Sequence, residues 1–67
     1  MTMTQASQTI EAGKSFPAIG SQFPFPFEVV RVNPVKPEFT IRERIGYETV
    51  TRVAKVSVFV HAVTVRR

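Results

Sequence analysis

From Phe39 onward the chain alternates. Phe39, Ile41, Ile45 and Tyr47 fall on one phase of a two-residue period while Thr40, Arg42 and Arg44 take the other, the pattern of a strand with one face buried and one in water. Glu43 interrupts the apolar phase. Gly46 marks a bend or turn, and the stretch that follows, ETVTRVAKVSVFVHAVTVRR, contains no Gly, Pro, Asn or Asp. Valines at 50, 53, 56, 58, 60, 63 and 65 give it strand-forming composition. Val56, Val58 and Val60 occupy even positions but Val63 and Val65 odd ones, so the apolar face slips around His61 and Ala62, as a β-bulge would cause. A straight strand of about 18 residues would extend roughly 60 Å, against a radius of gyration of about 11 Å for a compact chain of this length. The segment must therefore bend, leave the body, or lie between two layers, one of them supplied by another chain. A helix over residues 42–54 is the weaker alternative, because Gly46, Thr49, Val50, Thr51 and Val53 are poor helix formers.

Before this zone the pattern changes. Residues 16–38 hold all five prolines and four of the six phenylalanines, and proline removes both the N–H and the space that a helix needs. Extended or turning chain is expected, with a strand over residues 27–32 and a loop at Asn33-Pro34 and Lys36-Pro37. In SQFPFPFEVV, extended backbone would place Phe23, Phe25 and Phe27 in one apolar row. Pro24 and Pro26 would remove donors from a single edge, leaving a strand able to pair on one side only. FPFPF is not a P-x-x-P pattern, which counts against a ligand for proline-binding domains.

Residues 1–15 are rich in Thr, Gln, Ser and Ala, with Met1, Met3 and Ile10 as the sizeable apolar groups. Too little can be buried there for independent order, so an extended polar arm is expected. Sixty-seven residues make one domain at most. The sequence thus predicts a mostly β fold: a small antiparallel sheet or partial barrel at 39–67, a Pro/Phe-rich edge segment at 16–38 and an N-terminal arm at 1–15.

Size then raises the question of stability, because a chain this short buries only about 60% of the surface its unfolded form exposes. Disulfides, a metal or association usually make up the deficit. The chain has no cysteine and no aspartate, one histidine (His61) and five dispersed glutamates, so neither a disulfide nor a zinc or calcium ligand cluster is expected. Association is the remaining route. The same inventory cannot assemble a Ser-His-Asp or Cys-His arrangement, and AGKS at 12–15 lacks the first glycine of a phosphate loop. His61, within VFVHAV, reads as a strand residue and not as a ligand. No enzymatic activity, cofactor or small-molecule substrate is expected.

Charge is uneven. Residues 1–30 carry Lys14 against Glu11 and Glu28, a net of −1, and residues 31–67 carry eight Lys or Arg against three Glu, a net of +5. A basic C-terminal part suits an acidic partner, although Glu38, Glu43 and Glu48 dilute it. The start has no signal-peptide pattern, and no apolar run reaches the roughly 18 residues of a membrane helix. A virion or cytoplasmic location is expected, without secretion by a signal peptide and without a membrane span.

Three functional readings follow. The first is a structural or accessory subunit of a large assembly, of the virion type (phage or virus coat, cement or tail), held to other protein subunits by its arm and by strand addition. Its interface residues would be Phe16, Phe23, Phe25, Phe27, Val58, Val60 and Val63. The alternative is a small basic β-protein that binds single-stranded nucleic acid or RNA through Arg42, Arg44, Arg52, Lys55, Arg66 and Arg67; Phe39 and Tyr47 share the apolar phase and read as core. A basic stripe with an exposed aromatic on one sheet face would favour it. The third is an inhibitory or toxin-like β-protein acting on one enzyme.

Overall fold

The computed structural model describes residues 2–65. Its elements in chain order are α1 (Met3–Thr9), β1 (Ser15–Phe16), β2 (Phe27–Val32), β3 (Glu38–Ile45), β4 (Glu48–Lys55) and α2 (Val56–Val65). The strands form one antiparallel sheet in the order β1-β2-β3-β4, so the fold is the small, mostly β one that alternation predicts, and the sheet is open. The strand expected at 27–32 is β2, and the strand expected from Phe39 is β3. A shortest dimension of 15 Å accommodates the sheet and one covering layer.

Two turns set the register. Gly46 has φ of 65° while Tyr47 is not in the positive region, the arrangement of a II′ hairpin with glycine first. Ile45 and Glu48 close that hairpin, and the β3–β4 ladder runs unbroken through eight pairs to Glu38 and Lys55. Between β2 and β3, Asn33 Oδ1 accepts from the N–H groups of Val35 and Lys36, an Asx turn that organises the Pro34 and Pro37 loop. A bulge after Val29 re-phases β2: Val29 faces Ile41 and Arg31 faces Thr40.

The inner sheet face carries Phe27, Val29, Phe39, Ile41 and Ala54, all buried, and α2 lies on it with Val56, Phe59 and Ala62. Phe59 is the hub. Its ring meets Phe16, Phe23 and Phe39 edge-on at centroid distances of 5.5, 6.0 and 6.0 Å, while Phe27 stacks on Phe16 and Phe23 at 5.3 and 4.9 Å, separations at which aromatic pairs attract beyond their burial.

Three expectations are corrected. The strand predicted beyond Lys55 is instead a helix, and the slip at His61 and Ala62 is the helical spacing of Val56, Phe59 and Ala62. The ladder ends because the next partner after Glu38 is Pro37: its carbonyl accepts from Val56 N–H at 2.9 Å, but it has no N–H to return. A helix satisfies its own backbone and swings Phe59 over the core, which outweighs a β-branched penalty of a few tenths of a kcal/mol per residue. The polar arm is likewise partly helical. Thr2 and Gln5 form a reciprocal capping box, and Ala6 and Ile10 are buried in the core. Finally, the phenylalanine row is broken. Ile19 and Phe23 form an isolated bridge around a turn with Gly20 at φ of 60°, and the chain bends at Phe25. Phe23 and Phe27 point inward, whereas Phe25 is exposed.

Candidate interaction edge and basic face

Among the described residues one charged side chain of the inner face is buried. Glu43 is buried opposite Val50, and Arg52, two rungs along on the same face, supplies its counter-charge: Arg52 Nε donates to Glu43 Oε1 at 2.6 Å and Nη2 to the Gln22 carbonyl at 3.0 Å. The guanidinium also lies 5.4 Å from the centre of the Phe23 ring, within cation–π range. With side-chain exposures of 38% for Arg52 and 6% for Glu43, the pair sits at the border of the core. Arg52 is therefore an internal partner and does not join the other basic residues proposed for nucleic acid.

The outer face is reached by the complementary positions. Pairing of Glu28 with Arg42, Arg31 with Thr40, Thr40 with Val53, Arg42 with Thr51 and Glu38 with Lys55 puts these side chains on the side away from α2, because directly opposed residues share a face. Arg44 and Thr49 continue the same face. It thus gathers Arg31, Arg42, Arg44 and Lys55 against Glu28 and Glu38. Arg42 and Glu28 approach only to 4.0 Å with both side chains about half exposed, an ion pair of little energetic weight. Beside β1, a groove of about 450 Å³ is lined in part by Ser15, Glu28, Arg42 and Arg44. Tyr47, read with the core in the sequence, stands fully exposed on the hairpin tip. Arg66 and Arg67 lie outside the described residues.

The two edges of the sheet differ. At the β2 side, β1 and the residues before it cover the strand: Gly13 N–H donates to the Val29 carbonyl and Val29 N–H to the Lys14 carbonyl, both at 2.8 Å. At the other side, β4 pairs only with β3. The direction of its backbone groups follows from the bonds of β3. Arg44 N–H donates to Pro26 and the Glu38 carbonyl accepts from Asn33, so the even positions of β3 address β2 and the odd ones address β4. Glu48, Val50, Arg52 and Ala54, opposite those odd positions, spend their backbone groups on β3. The N–H and C=O groups of Thr49, Thr51, Val53 and Lys55 then point away from the sheet. No proline and no bulge interrupts β4, and its positions 48–51, 53 and 55 are exposed.

Of the interface residues expected from sequence, Phe16, Val58, Val60 and Val63 are half-buried against the chain's own core, Phe23 and Phe27 are inside it, and Phe25 faces outward. Arg42, Arg44 and Lys55 share the outer face, and Arg31 joins them only because the β2 bulge turns it there. The β4 edge has a signal in the sequence, eight proline-free residues next to a glycine hairpin, but which of its sides stays unpaired is set by the sheet order. Comparison with protein-family models, with curated proteins and with solved structures finds no match to this chain.

Proposed function

We propose that this chain is a non-enzymatic assembly subunit, of the kind that virus- and phage-type particles use as coat, cement or tail parts, joined to neighbouring protein by strand addition at β4. One observation supports the reading above others: an eight-residue edge with four outward N–H and C=O pairs that neither proline nor bulge interrupts, its charges being Glu48, Arg52 and Lys55. The attachment differs from the one the sequence suggests. The N-terminal segment packs on the chain's own helix, so β4 carries the connection and the arm does not. Thr51→Pro removes an outward donor without touching a β3 bond, a position where an edge strand tolerates proline. In extracts of cells producing the protein, the wild-type chain should run well above its own 7.5 kDa and the Thr51→Pro chain should run alone. A wild-type chain that migrates as a free monomer overturns the proposal.

A second reading is favoured by the outer face, where Arg31, Arg42, Arg44 and Lys55 outnumber Glu28 and Glu38 and an exposed Tyr47 stands at one end. A basic face with an exposed aromatic beside it supports single-stranded nucleic acid as the ligand. If about three cations meet phosphates, affinity for an oligonucleotide should fall with salt at a logarithmic slope of about −2, and Arg44→Gln should reduce that slope by about 0.7. Anisotropy titrations that show no binding at low salt would eliminate this reading.

A further inference from the structure

We infer that the occupant of the β4 edge is a second copy of this chain, paired antiparallel in one register with Val50 on the two-fold axis. The inference rests on strand addition at β4 and adds the partner and the alignment.

A two-fold axis perpendicular to the sheet keeps each residue on its own face, so the positions that meet across it differ by an even number. The outward-bonding residues Thr49, Thr51, Val53 and Lys55 must occupy the hydrogen-bonded rungs, and Val50 and Arg52 the closer, non-bonded ones. Three centres satisfy this within the middle of the strand. An axis at Arg52 brings two guanidiniums together at the closest rung, which is repulsive. An axis at Thr51 sets Val50 against Arg52 and Glu48 against Ala54, leaving both charges without partners in the second copy. An axis at Val50 sets Val50 against Val50 and Thr49 against Thr51, and it places Glu48 opposite Arg52 twice. Arg52 is suited to this second role, because it holds Glu43 with Nε and Gln22 with Nη2 and keeps Nη1 for another carboxylate.

The same register deals with exposed apolar surface. Tyr47, Val50 and Val53 are among the exposed large hydrophobics, and only the Val50 axis brings Tyr47 alongside Val53 of the second copy while burying Val50 against its equivalent. On the inner side of β4, Glu48 and Val50 are both exposed, so the helical layer does not overhang this end of the edge. The product is a continuous eight-stranded sheet with both helical layers on one side and both basic faces on the other.

The chain has no cysteine, so one introduced thiol reports the register unambiguously. In the purified protein, Val50→Cys should cross-link on mild oxidation, because Cα atoms in a non-bonded antiparallel rung lie about 4.5 Å apart, within disulfide reach. Thr51→Cys should not, since its equivalent sits two residues along, more than about 7 Å away. Val35→Cys, on the exposed β2–β3 loop, gives the rate of random collision. Glu48→Lys, which replaces two attractions by two repulsions, should weaken dimerisation about tenfold or more. Three results overturn the inference: cross-linking of the Thr51→Cys chain in place of the Val50→Cys chain, a Val50→Cys chain that cross-links no faster than the Val35→Cys chain, or unchanged affinity in Glu48→Lys. A purified chain that stays monomeric while the cellular complex still depends on Thr51 overturns the second copy as partner and leaves strand addition standing; loss of both overturns both.

Discussion

Among single residues, two side chains concentrate the consequences. Phe59 touches three other rings, and its truncation to alanine costs about 3–5 kcal/mol in a typical core, comparable to the whole stability of a domain this small. Phe59→Ala should therefore leave the chain largely unfolded at room temperature, seen as loss of the folded far-ultraviolet dichroism and of the cooperative urea transition. Arg52 is the other. Its removal leaves the buried Glu43 carboxylate without its charge-assisted hydrogen bond, a loss of about 2 kcal/mol, tempered by solvent at the exposed side of the guanidinium. Arg52→Ala should lower the urea midpoint, and Glu43→Gln in the same background should restore part of the loss, because a neutral amide is cheaper to leave unpaired than a carboxylate. If the double variant is no more stable than the single one, the pair is not what Arg52 contributes. The apparent flaw in the alternation, Glu43 on the apolar phase, is thus matched by Arg52 two rungs away on β4. From sequence alone Arg52 joins the basic set, because nothing in its neighbours states which strand it will pair with.

Among the elements, the turns and caps are local chemistry and the second helix is not. Gly46 has a φ of 65°, so although open space lies where a Cβ would stand, Gly46→Ala forces an L side chain into the left-handed region, at a cost of about 1–2 kcal/mol. Its urea midpoint should fall modestly while the fold persists; an unchanged midpoint would mean that the hairpin does not need the left-handed residue. Thr2→Ala breaks the capping box and should cost about 1 kcal/mol, read as faster amide exchange in α1 and not in the sheet. The T-x-x-Q signature of that box and the spacing of Ala6 and Ile10 were present in the sequence, outweighed by the polar composition around them. α2 is different. V-S-V-F-V alternates as a strand does, and no local signal says otherwise. Pro37 at the end of the β3 ladder and the three aromatic partners of Phe59 turn it into a helix, and all of them lie far from residues 56–65 along the chain.

For the molecule as a whole, the sheet is one-sided in two senses. One face is covered by α2, against which α1 packs, while the other presents Arg31, Arg42, Arg44 and Lys55 to solvent; one edge is covered by residues 13–16 while the other presents β4. The alternative in which another chain supplies a covering layer does not hold for the inner face, because α2 folds back and provides it. What remains for a partner is an edge. Among the described residues no helix is long and apolar enough to cross a membrane.

Periodicity and backbone chemistry were enough to read several features directly from the residues: mostly β character, strands at β2 and β3, the buried phase of β3, the glycine turn after β3, and a proline zone without helix. These depend on neighbours one to four residues apart. Packing settled which phenylalanines go inward, since a turn at Gly20 and not an extended row delivers Phe23. Strand pairing and a bulge settled that Arg52 faces the core and Arg31 the solvent. The valine-rich end becomes a helix for a reason equally remote from its own residues: the ladder it would have extended stops at a residue with no N–H to offer.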